Sequence, residues 1–272
     1  MPRIRVGAIH LHHDEKGEGE SLLLITGFGL SSASWRPEFV TGLARTFRVI
    51  TFDNRGTGRS DELDMPMSMA LLADDAIGLL ESLGIGRAHV LGASMGGNIA
   101  QEIALNHPER LAGLVLACTY CGDKFGVPLD RERFAAMRAP AAGDPRAEAR
   151  LQWPTTYTPE FIAANGDFLE SELDRTLQYP TPPTTLRRQR EATTVWSSYE
   201  RLHRITAPTL ILAGDRDERM DPRNSTILHG HIPDSRLHIV KGASHKFWNS
   251  HPDETVAVVT AFLTSCGVGT GG

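Results

Sequence analysis

The stretch His89–Arg110, HVLGASMGGNIAQEIALNHPER, sets one serine among glycines where an apolar run gives way to a helical pattern. The run before the serine, 88–93, is short, apolar and preceded by Gly84 and Gly86, which predicts a buried strand. Behind it, Ile99, Ile103 and Ala104 recur at helical spacing until Pro108 stops the pattern. Ser94 therefore falls on a strand-to-helix turn. A turn so sharp needs neighbours without bulk, because positive φ is costly for residues with a Cβ and the backbones approach closely. Gly92, Gly96 and Gly97 meet that need.

Working outward, the chain alternates strands with helices. Apolar or alternating runs at 3–13, 21–26, 48–53, 88–93, 112–118, 209–213 and 236–240 predict strands. Periodicity with flanking breakers predicts helices at 34–47, 68–83, 98–107, 222–231 and 253–265. Such alternation implies parallel strands covered by helices on both faces, with ligands bound outside the carboxyl ends of the strands. Only residues 121–204 break the rhythm. They offer no convincing strand, carry eight prolines, and show scattered helical patterns such as 129–138 and 184–201. The expected organisation is a core of 1–120 and 205–266, a helical lid at 121–204, and a flexible tail, GVGTGG, at 267–272. No internal repeat is visible at solenoid or propeller periods.

Composition narrows the function classes. A chain of 272 residues suits one large domain with an insertion better than two equal domains. The net charge of −5 argues against nucleic-acid and anionic-membrane partners. No apolar run approaches a membrane span, and the start, MPRIRVGAIH, lacks the apolar stretch of a signal peptide, so the expected compartment is the cytoplasm. Three cysteines do not make a disulfide framework, which fits a reducing compartment.

Gly92-Ala93-Ser94-Met95-Gly96 matches G-x-S-x-G, the nucleophile elbow, in its required strand–turn–helix context. A serine hydroxyl is a weak nucleophile and needs a base to take its proton. Of eleven histidines only His245 sits after a late strand in a glycine-flanked loop, KGASHKFW. His10, His12 and His13 form the one rival cluster; beside charged residues on an N-terminal strand they read as a solvated face, without the further ligands a metal site needs. His107, before Pro108, reads as the end of a helix. The base needs an orienting carboxylate, and LILAGDRDERMDP offers Asp215, Asp217 and Asp221. Chain order is then Ser, Asp, His, the α/β-hydrolase order. The pair Cys118/Cys121 lacks a second pair for zinc and reads as strand-end packing. No glycine pattern indicates a bound nucleotide. Asp53 and Arg55 read as residues that hold their loop. Phe28, Trp35, Tyr120, Trp153, Trp196, Phe247 and Trp248 are candidates to line an apolar pocket, of which a few should touch substrate.

With these segments in hand the chain resembles the α/β-hydrolases from about residue 20 to residue 263. LLLITGFGLSSASW is similar to the family's oxyanion segment, FDNRGTGRSD to its following strand and loop, GASMGGNIAQEIALNHPER to its elbow, and TLILAGDRD and VKGASHKFWNSHPDE to its acid and histidine segments. Within the family the chain resembles small lidded esterases and lactonases, such as 3-oxoadipate enol-lactone hydrolases and cofactor-free haloperoxidases. Thr26 stands where the family commonly has histidine. The resemblance implies a mostly parallel sheet of about eight strands, Asp217 as the acid, and the backbone N–H groups of Phe28 and Met95 as oxyanion donors. It implies no cofactor and no metal. The expected activity is hydrolysis of a small carboxylic ester or lactone by Ser94, His245 and Asp217 through an acyl-enzyme. Two alternatives stand beside it: a perhydrolase on the same triad, scored as a haloperoxidase, and a binding or signalling protein of low turnover. Lyase chemistry on the same fold is a further possibility.

Overall fold

The computed structural model describes residues 3–138, 141 and 143–267. Eight strands form one sheet in the order β1-β2-β4-β3-β5-β6-β7-β8. They are β1 (Arg3–Val6), β2 (Ile9–Lys16), β3 (Glu20–Ile25), β4 (Phe47–Phe52), β5 (Ala88–Ala93), β6 (Leu111–Ala117), β7 (Thr209–Gly214) and β8 (Ser235–Val240). From β4 to β8 every pairing is parallel, while β2 runs antiparallel to both β1 and β4. The helices are α1 (Pro37–Leu43), α2 (Met69–Ser82), α3 (Met95–Asn106), α4 (Arg131–Arg138), α5 (Pro145–Thr156), α6 (Pro159–Ala164), α7 (Gly166–Leu177), α8 (Pro183–Val195), α9 (Arg223–His231), α10 (Phe247–Ser250) and α11 (Pro252–Cys266).

The apolar runs follow from burial on both faces, since a parallel strand between helices has no solvated side. In β3, Leu23 and Ile25 join one core cluster with α2, α3 and α9. Leu22 and Leu24 face the opposite cluster, built with Trp35, Phe39 and Leu43 near α1 and Val259, Phe262 and Leu263 of α11. The connection from β6 to β7 holds the helices α4 to α8 and, among the described residues, no strand. Of the tail expected to be flexible, 267–272, all but Gly267 lies outside the described residues.

Two readings are corrected here. The single strand expected over 3–13 is a hairpin, because Gly7 turns the chain at φ 56° between β1 and β2. The histidines of β2 are not a solvated face either. Only His10 is exposed; His12 and His13 are buried because β2 is an interior strand of the sheet, flanked by β1 and β4. His12 Nε2 meets Asp14 Oδ2 at 2.9 Å, and burial holds His13 below the ordinary imidazole range against the pull of Glu15.

Candidate active site

From residue 88 to residue 105 every side chain is buried except Ser94, which is half-buried. The backbone explains why. Ser94 itself takes φ 56° and ψ −121°, between the end of β5 and the first turn of α3. Its N–H donates to the Ala117 carbonyl of β6 at 2.9 Å, and its own carbonyl accepts from Gly97 N–H at 2.9 Å and Thr119 Oγ1 at 2.8 Å. The positive φ thus rests on the serine and not on its glycine neighbours, whose role is close approach. A Cβ at Gly92 would stand 2.2 Å from the Gly96 carbonyl oxygen, and one at Gly96 would stand 2.2 Å from that of Ile25. Such strain in a non-glycine residue persists only where its surroundings over-determine it.

Asp217 lies three residues beyond the end of β7, in a loop docked on the segment that carries His245. A Cβ at Gly214 would meet the Ala243 carbonyl oxygen at 2.3 Å, so the two loops pack backbone against backbone. Arg216 N–H donates to Ala243 O at 2.9 Å across that contact. His245 Nδ1 and Asp217 Oδ2 are 2.7 Å apart, both residues 5% exposed. Oδ1 of Asp217 accepts from the N–H groups of Arg219 (2.8 Å) and Met220 (2.9 Å). The two other aspartates are engaged elsewhere: Asp215 accepts from Gly242 N–H at 2.7 Å, and Asp221 accepts from Arg223 N–H at 2.9 Å. A carboxylate spent on a turn or a helix start is what Asp and Asn side chains commonly do in loops.

Phe28 follows β3 in the loop facing the elbow, where a Cβ at Gly27 would lie 3.1 Å from that of Ser94. Met95 is the first residue of α3, so its N–H has no carbonyl within the helix. Thr26 holds the loop by donating to Leu30 O at 3.0 Å. The insertion holds it from above: Gly29 N–H donates to Gln189 Oε1 at 2.8 Å, and Thr181 Oγ1 donates to Gly29 O at 2.9 Å. Asp53, fully buried, accepts from Ser32 N and Oγ (both 2.7 Å) and from Arg59 N (2.9 Å) and Nε (3.1 Å). Arg55 forms a buried two-pronged pair with Asp75 at 2.7 and 2.8 Å. Both therefore act as the loop braces the sequence suggests.

Ser94, Met95, Phe28 and His245 all open on one cavity of about 830 Å³, within the size range of small-molecule sites. Of the candidate aromatics, Phe28, Trp35, Tyr120, Trp153 and Trp248 line it, whereas Trp196 donates to Glu102 at 2.7 Å and Phe247 sits in the core. Burial pushes Tyr120 up to about 12, so it stands there as a neutral phenol. The sequence reading missed the charged part of the lining: Arg131, Arg190, Arg219 and Lys246 with Glu148 and Glu172. Lys246, next to His245, was the one adjacent signal. Among the described residues a further cluster is Cys118 with Asp217 and His245, whose ligand atoms lie within 4.8 Å of one another. Burial, then the Asp217 charge, raises the Cys118 thiol well above its usual range, so it packs there as a neutral group.

A mostly parallel sheet that carries a serine on a strand–helix elbow, with a helical insertion after β6, defines the α/β-hydrolases as a class. The family model for the alpha/beta hydrolase fold matches residues 20–250, and the chain belongs to that family. A relative from Azorhizobium caulinodans, named "Putative carbamate hydrolase RutD", is 33% identical over 93% of this chain and 94% of its own length. Among solved structures, the enol-lactonase from Burkholderia xenovorans LB400 superposes with a TM-score of 0.84 at 25% identity, over 97% of this chain and all of that one. A thermophilic esterase from Thermogutta terrifontis gives 0.83 at 26% identity, over 97% of this chain and 98% of that one. The protein is a hydrolase of this superfamily. No helix among the described residues is long and apolar enough to cross a membrane.

Proposed function

We propose that the protein cleaves a small carboxylic ester or lactone through an acyl-enzyme on Ser94. The observation that carries this reading is the 2.7 Å contact between His245 Nδ1 and Asp217 Oδ2 beside an elbow serine opening on the same cavity. Asp217, fixed by two backbone N–H groups on Oδ1, keeps the Nδ1 proton of His245 toward itself and leaves Nε2 free to act as base. As Ser94 Oγ bonds to the substrate carbonyl carbon, its proton passes to His245 Nε2 and the carbonyl π electrons move to oxygen. The N–H groups of Phe28 and Met95 receive that oxyanion, aided by the N-terminus of α3. The intermediate collapses when the C–O bond to the leaving alkoxide breaks and His245 returns the proton. Water then repeats the sequence on the acyl-serine, releasing acid and free Ser94. In a lactone the alcohol stays tethered to the acyl group.

The relative named for carbamate hydrolysis supports a second substrate class on the same residues. A carbamate carbonyl, with nitrogen in place of the acyl carbon, passes through the same tetrahedral centre. A panel of activated esters, lactones and one activated carbamate, run with wild type and Ser94→Ala, tests both, together with fluorophosphonate labelling mapped by mass spectrometry. Labelling at Ser94 and turnover lost by about six orders of magnitude in Ser94→Ala are expected. Labelling at another serine refutes the assignment. Turnover of the carbamate without turnover of any ester or lactone replaces the first substrate class with the second.

A further inference from the structure

We propose that Glu172, on helix α7 of the insertion, is a positioning residue for His245, acting through Lys246. The inference rests on the hydrolase reading above, since it assigns the base that Glu172 positions. Glu172 is 4% exposed, yet its carboxylate is held entirely by other side chains. Oε1 accepts from Lys246 Nζ at 2.6 Å and from Asn249 Nδ2 at 3.1 Å; Oε2 accepts from Tyr157 Oη at 2.5 Å. Asn249 Nδ2 also donates to Tyr157 Oη at 2.7 Å. Tyr157 and Asn249 are 2% and 1% exposed, so two of the three donors to the carboxylate are buried with it.

The network grips the base from its C-terminal side. His245 lies outside helix and strand, in the turn that follows β8, and its imidazole is fixed at one end by Asp217. Its neighbour Lys246 is tied twice to the insertion, by the Glu172 ion pair and by its backbone N–H on the Thr156 carbonyl at 3.3 Å. Asn249 is tied to the same carboxylate, and its carbonyl accepts from the Arg36 guanidinium. The acid loop docks on the same stretch of the insertion: the Arg219 guanidinium reaches Gln152 Oε1, Thr155 Oγ1 and Thr156 Oγ1 at 3.0–3.2 Å. Residues 152–157 and Glu172 thus hold the acid loop and the histidine loop against one another. Although Glu172 lines the cavity, its oxygens are already engaged, which separates it from a substrate-binding carboxylate. Burial would raise its carboxyl, but the Lys246 charge and the hydrogen bonds from Lys246, Tyr157 and Asn249 turn the net shift downward, so it stands as an anion.

A double-mutant cycle on the full chain tests this, with Glu172→Gln, Lys246→Met and the double variant. Three quantities are read: the rate of fluorophosphonate reaction at Ser94, kcat and KM for 4-nitrophenyl acetate and butyrate, and the thermal melt. Absence of wild-type labelling at Ser94 refutes the hydrolase reading itself and is thereby distinguished from failure of the tether. Where wild type labels, each single variant lowers the phosphonylation rate and kcat by about tenfold to a hundredfold, equally for both esters, with KM within about twofold. The double variant is no slower than the slower single one, because both remove the same link. Wild-type phosphonylation rates in folded single variants overturn the proposal. So do losses confined to KM that differ between the esters, or losses that multiply in the double variant. If Glu172→Gln does not fold, Lys246→Met decides alone, since it removes the same ion pair from the other side; a folded Lys246→Met with unchanged phosphonylation overturns the proposal equally.

Discussion

Replacing Asp217 by asparagine changes one atom and should cost nearly all turnover. Two backbone N–H groups, from Arg219 and Met220, converge on Oδ1 at 2.8 and 2.9 Å. An amide oxygen satisfies them and an amide NH₂ does not, so the asparagine oxygen takes the Oδ1 place. Its NH₂ then faces His245 Nδ1, across the contact that measures 2.7 Å in the native protein. Facing a donor, Nδ1 must accept, and the ring proton moves to Nε2, where a base needs a lone pair. The wrong tautomer in a serine protease triad costs about ten-thousand-fold in turnover, which corresponds to about 5.4 kcal/mol of barrier. Asp217 is buried and the replacement is isosteric with its two N–H bonds intact, so the fold should survive. Stopped-flow acylation with an activated ester, beside a circular-dichroism melt, gives both numbers. Asp215→Asn and Asp221→Asn serve as comparisons, because those carboxylates hold Gly242 N–H and Arg223 N–H instead. A loss below tenfold in a folded Asp217→Asn protein, or a larger loss at 215 or 221, refutes the assignment of the acid.

Other consequences concern stability. Gly96→Ala would push a methyl to 2.2 Å from the Ile25 carbonyl oxygen and 2.7 Å from that of Thr26. It should destabilise by about 1–3 kcal/mol or more; an unchanged urea midpoint would show that the elbow yields more easily than its packing implies. Asp53→Ala removes the acceptor of the buried Ser32 N–H and one of the partners of Arg59, and should cost about 1–3 kcal/mol in denaturant unfolding; an unchanged midpoint contradicts the brace. The carboxyl of Glu172 is held below its usual value, so its contribution is complete above the ordinary carboxylate pKa of about 4.3 and fades as pH falls toward the lowered folded value. Melting temperatures of wild type should therefore fall more steeply below that pH than those of Glu172→Gln, and parallel curves would contradict it.

Most of the sheet was legible in the chain alone, because β5, β6 and β7 are almost entirely apolar and are punctuated by glycine and proline. The same reading singled out Ser94 and His245 as candidates for local reasons: Ser94 directly follows β5, and His245 lies in the glycine-bearing loop after β8. Asp217 was distinguishable from Asp215 and Asp221 only through the family resemblance, since nearness to the strand does not separate the three. The hairpin at Gly7 was missed because two short strands joined by a tight turn look like one alternating run. His12 and His13 misled because their burial comes from pairing with β4, some forty residues away. Glu172 is the extreme case. On α7 it is one acidic residue in a charged helix, and its partners are Tyr157, Lys246 and Asn249, the last two more than seventy residues on. Nothing in the local pattern marks a residue whose surroundings are made by tertiary contacts alone.

The seating of the insertion bears on how such a scaffold can be re-engineered. A cap joined to its core only at its two ends could be exchanged whole, as a cassette, to alter acyl preference. Here the segment between β6 and β7 is also bolted down at interior points, among them Gln189 and Thr181 on Gly29, Thr155 and Thr156 on Arg219, Glu172 on Lys246, and Arg188 on Glu62 and Leu63. The first three of these end on loops that carry a candidate catalytic group. Exchange of the whole segment therefore redraws the reaction centre along with the cavity wall. Substitutions restricted to wall residues such as Trp153 and Leu186, whose side chains make none of these hydrogen bonds, are the route to a new acyl preference with the chemistry left intact.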